Sequence, residues 1–73
     1  MKLSVGMRVV DVMKTRWLIV EFSLSRVRIR RLEYLASLDG RGPMEWCVPS
    51  AHVNNPPEDW LRANFEQCFS VDT

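Results

Sequence analysis

A mainly β fold, a small barrel of four or five antiparallel strands followed by a C-terminal α-helix, is what the sequence predicts on three observations. The first half is rich in β-branched and aromatic residues broken by short polar links. In Arg26–Arg31, Val27 and Ile29 alternate with Arg26, Arg28 and Arg30 at the strand period of two. Beyond Asn54 the chemistry becomes that of a helix start and an apolar stripe.

Taken in order, Val5 to Val12 is β-branched after Gly6, and the polar link Lys14-Thr15-Arg16 leads into Trp17-Leu18-Ile19-Val20-Glu21-Phe22, which predicts two strands and a hairpin. In the second strand Leu18, Val20 and Phe22 share one face, while Trp17, Ile19 and Glu21 share the other. That second face is therefore partly apolar and offers a second contact surface. Ser23-Leu24-Ser25 turns the chain into the third strand, whose alternation fails at Arg31-Leu32, where a bulge or the strand's end is expected. Glu33 to Pro43 reads as a long connection, with Tyr34 to Leu38 open between strand extension and helical turn. It closes on Asp39-Gly40-Arg41-Gly42-Pro43, because glycine supplies positive φ and proline cannot donate to a ladder. Met44 to Val48 is a fourth strand stopped by Pro49, and Ser50 to Val53 a single turn leading to a brief last strand or an irregular exit.

Asn55-Pro56-Pro57-Glu58 combines a capping side chain, a proline at the first helical position and a carboxylate three residues on. A helix is expected to start near Pro56, with Leu61, Phe65 and Cys68 on one stripe and Phe69 beside it. Glu58 and Asp59 then fall at its N-terminus, where the macrodipole and capping account for them. The chain divides into residues 1–54, the strands, and residues 55–70, the helix packed on them or on a partner, within one domain.

At 73 residues, with 47% hydrophobic side chains and three Trp, the chain is long enough to fold and short enough that a metal, disulfide or oligomer contact merits checking. The N-terminal stretch has no apolar segment of the kind that directs export, and the longest uninterrupted apolar run, Trp17 to Val20, is far too short for a membrane span. A soluble, cytoplasmic protein with Cys47 and Cys68 as reduced core thiols is expected, without a cofactor.

Four or five short strands, the opening Gly6-Met7-Arg8-Val9, one long loop and a proline turn before the last strand together resemble the small SH3-like β-barrels, among them KOW and Tudor modules, over about Val5 to Val53. The resemblance implies an SH3-like barrel that serves as a binding module. Locally, Val48-Pro49-Ser50-Ala51-His52-Val53 is similar to the closing Tyr-Pro-Val-Ala-Ala-Leu segment of the plasmid-borne type II dihydrofolate reductases. The Val-Gln-Ile-Tyr motif that precedes it in that family is replaced here by Glu45, Trp46, Cys47 and Val48, so the resemblance implies no reductase activity.

The charge is sorted along the chain. From Met1 to Leu32 eight basic residues face Asp11 and Glu21, a net of +6, whereas from Glu33 to Thr73 Arg41 and Arg62 face seven acidic residues, a net of −5. An anionic partner for one half, or mutual neutralisation of the halves within or between chains, would follow from that polarity. The best nucleic-acid-binding candidates are Arg26, Arg28, Arg30 and Arg31, joined by Lys14 and Arg16, because guanidinium groups about 7 Å apart along one strand face suit a phosphate backbone. Trp17 would add a stacking platform. The ordinary alternative is a solvated face whose arginines pair with Glu21, Glu33 or the acidic C-terminal part.

Cys47, His52 and Cys68 have metal-compatible side chains, yet there is no Cys-x-x-Cys pair and no fourth soft donor, so no metal site is expected. A Cys–His nucleophile would also need an orienting partner, an oxyanion site and a pocket; His52 reads as a hydrogen-bonded turn residue. Trp46, Trp60, Phe65 and Phe69 are either the seam between strands and helix or anchors in an interface. The sequence therefore points to a non-enzymatic binding module. One form contacts nucleic acid through the basic hairpin; the alternative docks a protein, or a second copy of the chain, through an apolar outer face around Trp17 and Ile19 or through the helix. No membrane partner is expected.

Overall fold

The computed structural model describes residues 2–36, 42–49 and 52–72. The turn around Asp39 to Arg41 and the Ser50-Ala51 part of the proline turn lie outside the described residues. Among these residues seven strands and one helix follow in the order β1 (Arg8–Asp11), β2 (Arg16–Phe22), β3 (Arg26–Arg31), β4 (Glu33–Ala36), β5 (Met44–Cys47), β6 (Glu58–Leu61), α1 (Arg62–Cys68) and β7 (Phe69–Val71). The fold is mainly β, in two antiparallel sheets, with a C-terminal helix. Five strands form one sheet in the order β6-β3-β2-β1-β7, and β4 and β5 form a separate two-stranded ribbon. The five-stranded sheet is not closed by hydrogen bonds, and α1 links its two edge strands. Among the described residues no helix is long and apolar enough to cross a membrane.

The first hairpin is built on Asp11. Its Oδ1 accepts hydrogen bonds from the backbone N–H groups of Met13 and Thr15, each at 2.9 Å, while Oδ2 accepts from Trp17 Nε1 at 3.0 Å. Lys14 sits in the turn at φ 67°, a left-handed conformation that costs a residue with a Cβ on the order of 1 kcal/mol. Lys14→Gly is therefore expected to raise the melting midpoint by about 2–4 °C, as glycine's gain in the turn outweighs its extra freedom in the unfolded chain. An unchanged or lowered midpoint in a thermal melt would contradict that geometry. Gly6 adopts φ 89°, open to glycine without a Cβ penalty, and its N–H donates to the Ile19 carbonyl at 2.8 Å.

The core is the inner face of the sheet under α1: Val9, Ile19, Val27, Ile29, Phe65, Phe69 and Leu3, with Met7, Trp17, Trp60 and Cys68 packed against it. Burying each large apolar side chain stabilises the fold by about 1.5–3 kcal/mol. Phe69 gathers the aromatic groups, stacking on Phe65 at 4.6 Å and meeting the edges of Trp60 and Trp17 at 5.0 and 6.3 Å. Because Trp60 lies on β6 and Phe69 on β7, the two edges of the sheet meet through side chains in the core. The seven-residue helix has no side-chain cap, and only Phe65 of its residues is fully buried. A helix that short gains its stability from packing.

Two expectations need correction. The faces of β2 are inverted: Ile19 is fully buried and Trp17 packs on the core, so the pair does not form an outer docking face. Leu18 shares the outer face with Arg8 and Arg30, which stand directly opposite it on β1 and β3. A bulge between Ile19 and Glu21 then turns Phe22 to stand opposite the buried Val27, breaking the simple alternation of Leu18, Val20 and Phe22. Alternation says which residues share a face; the partners at the far end of the chain decide which face is buried.

Second, no helix begins at Pro56. Glu58 to Leu61 is a strand paired with β3, and the helix runs only over Arg62–Cys68. The capping signal loses because pairing puts Trp60 opposite Val27 in the core and Asp59 opposite Arg28 at the surface, a tertiary gain that exceeds local propensity. Glu58 and Asp59 are thus strand residues, not helix-terminal ones, and the Leu61, Phe65, Cys68 stripe is shortened, leaving Leu61 half exposed. Two readings left open resolve: of Tyr34 to Leu38 the described part, to Ala36, is strand (β4), with Ser37 and Leu38 outside the described residues, and the turn at His52 leads to an irregular exit, with no strand before Glu58. The expected break after Arg31 does occur, with Leu32 separating β3 from β4.

Candidate functional site

The strand period distributes the basic candidates over two faces. Arg26, Arg28 and Arg30 project from the outer face of β3, and Arg16 stands on the outer face of β2 opposite Val10. Arg31 stands opposite Trp17, on the inner side of the sheet. Trp17, tied to Asp11 and packed on Phe69, therefore stands with Arg31 and away from the outer arginines. Lys14 is exposed at the hairpin tip.

Each of these arginines has an acceptor within the chain. Arg26 Nε donates to both carboxylate oxygens of Asp59 at 3.2 and 3.0 Å. Arg28 lies 3.6 Å from Glu21, Arg16 Nε donates to Asp72 at 2.9 Å, and Arg31 pairs with Glu33. Arg30 does structural work: its Nη1 donates to the carbonyls of His52 at 3.1 Å and Asn55 at 2.6 Å, clamping the loop after β5 to the sheet. The polarity of the two halves is thus answered inside the chain, since β6 brings Asp59 to Arg26 and the segment after β7 brings Asp72 to Arg16. Exposed pairs of this kind contribute only about 0–1 kcal/mol each, but they hold the guanidinium groups against carboxylates. Among the described residues, Arg8 and Lys14 form no ion pair.

The β4–β5 ribbon carries a surface that the sequence reading missed. Tyr34 stands opposite Trp46 and Ala36 opposite Met44, so these four share one side, while Glu33, Leu35, Glu45 and Cys47 share the other. The Tyr34 and Trp46 rings are 5.3 Å apart, and the Arg16 guanidinium lies 4.3 Å from the centre of the Trp46 ring. Tyr34 is 52% and Met44 51% exposed. Arg16 of β2 packs on this side of the ribbon, over Trp46. Of the four aromatic residues assigned to a seam or an interface, Trp60, Phe65 and Phe69 belong to the core and Trp46 belongs to this surface. The signal was present as alternation at Tyr34, Ala36, Met44 and Trp46; without the pairing partner it was indistinguishable from a loop.

A cleft of about 340 Å³ opens beside the end of β3, between Trp17, Ile29, Arg30 and Arg31 on one side and Val48, His52 and Asn55 to Glu58 on the other. His52 N–H donates to the Pro49 carbonyl and Asn55 N–H to the His52 carbonyl, at 2.8 and 3.1 Å. Pro49 is buried. Cys47 and Cys68 are free thiols, both half-buried, on the ribbon and the helix respectively. Comparison with family models, curated proteins and solved structures finds no match to the chain.

Proposed function

We propose that the chain is a small non-enzymatic binding module, SH3-like in the arrangement of its strands, that docks another protein through the Tyr34–Trp46 side of the β4–β5 ribbon. The observation that carries this reading is the open side of Tyr34, Ala36, Met44 and Trp46, with Tyr34 and Met44 about half exposed. A two-stranded ribbon is marginal in water unless a further element covers its apolar side. Tyr, Trp and Met are also the residue types that anchor protein interfaces. A second reading, contact with a nucleic-acid backbone through Lys14, Arg16, Arg28 and neighbouring arginines, draws support from the Arg16–Trp46 stack, since cation and ring together suit an unpaired base and its phosphate. The carboxylates already facing the arginines favour the protein partner.

Affinity capture on the immobilised chain from nuclease-treated extract of its own cells tests the choice. The expected result is a single enriched protein that persists with Arg28→Ala and falls about thirtyfold with Tyr34→Glu or Met44→Glu, the loss of an interface anchor. The thermal midpoint of these variants should stay close to the parent's, because both positions are exposed. Capture that disappears on nuclease treatment and with Arg28→Ala would point to nucleic acid instead.

A further inference from the structure

We propose that the cleft between the His52–Glu58 segment with Val48 and the ends of β2 and β3 binds a small planar aromatic acid, at a site separate from the ribbon surface. Its volume of about 340 Å³ is at the lower end of the range of small-molecule sites, the scale of a bicyclic ring with a short side arm. Its apolar lining comes from Trp17 and Ile29 on one side and from Val48, Pro56 and Pro57 on the other. Indole and pyrrolidine rings offer flat walls, and offset or edge-on aromatic contact adds to burial alone.

The walls are held before any ligand arrives. Trp17 is oriented by its 3.0 Å bond to Asp11 Oδ2 and by edge contact with Phe69, and the loop is clamped by the two carbonyl contacts of Arg30. Proline rings add stiffness to the wall they form. A preformed site avoids the ordering cost that weakens binding to mobile loops.

The polar lining gives the sign of the ligand. Arg31, and Arg30 where it reaches from the outer face of β3 to the His52 and Asn55 carbonyls, line the cleft together with one carboxylate, Glu58, whose Oε1 accepts from Trp60 Nε1 at 2.8 Å. His52 and Asn55 complete the polar side. Arg31 pairs with Glu33 at the surface, a contact weak enough for a ligand anion to compete with or share, and a guanidinium retains further N–H donors. Two guanidinium groups against one engaged carboxylate select an anionic substituent over a cationic one.

The test is a titration of the ¹⁵N-labelled protein with indole-3-acetate and, in parallel, with neutral indole-3-acetamide, followed by NMR. The acid is expected to shift the Trp17 indole N–H and the amides of Ile29 to Arg31, and the amide to bind about fivefold more weakly. Arg31→Gln should abolish that difference, Glu58→Gln should tighten the acid about twofold, and Arg28→Gln, on the opposite face, should change nothing. Absence of shifts in these groups, or equal binding of acid and amide, would overturn the proposal. So would a blocked Asp-Trp-Asp peptide shifting the same resonances where the free acid does not, because the occupant would then be a protein segment.

Discussion

Phe65→Ala should remove most of the cooperative unfolding transition at room temperature. Phe65 is the largest fully buried side chain, the only fully buried residue of α1, and it stacks on Phe69 at 4.6 Å. Truncating a buried Phe costs about 3–5 kcal/mol through lost transfer energy and the cavity left behind. A domain of this length holds only about 4–11 kcal/mol in total. The helix has no side-chain cap to hold it independently, so the link between β6 and β7 loosens with the same change. A midpoint lower by roughly 15 °C or more in a thermal melt is expected, with Phe65→Leu much milder because it retains most of the volume. A midpoint within a few degrees of the parent would show that α1 does not cover this core.

Asp11→Ala is expected to be the most damaging change at a charged residue, costing about 2–3 kcal/mol. One carboxylate satisfies two backbone N–H groups of the hairpin and fixes the indole of Trp17, whose other contacts belong to the core. Removing it leaves three donors to find water and frees the ring. Asp11→Asn should retain part of the stability, since its carbonyl oxygen can replace one acceptor but not both. The measurement is urea unfolding of the three proteins, with the Trp17 indole N–H followed by NMR. An alanine variant within about 0.5 kcal/mol of the parent, with that resonance unmoved, would mean that the carboxylate organises nothing.

The parts of the fold legible in the sequence were those specified by neighbours. β2, β3 and β5 stand close to where β-branched runs and alternation placed them, and the break at Leu32 was visible as a failure of period. What alternation cannot supply is the identity of the partner. Alternation groups Trp17 and Ile19 with the charged Glu21, yet a bulge places Glu21 opposite Arg28 and lets Ile19 enter the core. Asn55 to Glu58 obeyed a local rule for starting a helix, and the pairing of Trp60 with Val27 overrode it. The candidate site divides the same way. The outward run of Arg26, Arg28 and Arg30 was readable from period two; that Asp59 and Asp72 would come to meet the basic face depended on contacts 33 and 56 residues away in sequence. Tyr34, Met44 and Trp46 were hidden for that reason too, since a ribbon is recognisable only when both of its strands are paired.

The central claim, that this is a docking module whose arginines are matched by its own carboxylates and not a reader of phosphate, is tested most directly by fluorescence anisotropy. Labelled duplex DNA, single-stranded DNA and RNA are titrated with the intact chain at about 50 and about 200 mM salt, the range over which a few released counterions change affinity by roughly a hundredfold or more. The expectation here is weak or absent binding at the lower salt, unchanged by Arg28→Ala. Tight binding that collapses across that range, and that Arg28→Ala weakens while the fold stays intact, would contradict it and return the basic face to nucleic acid.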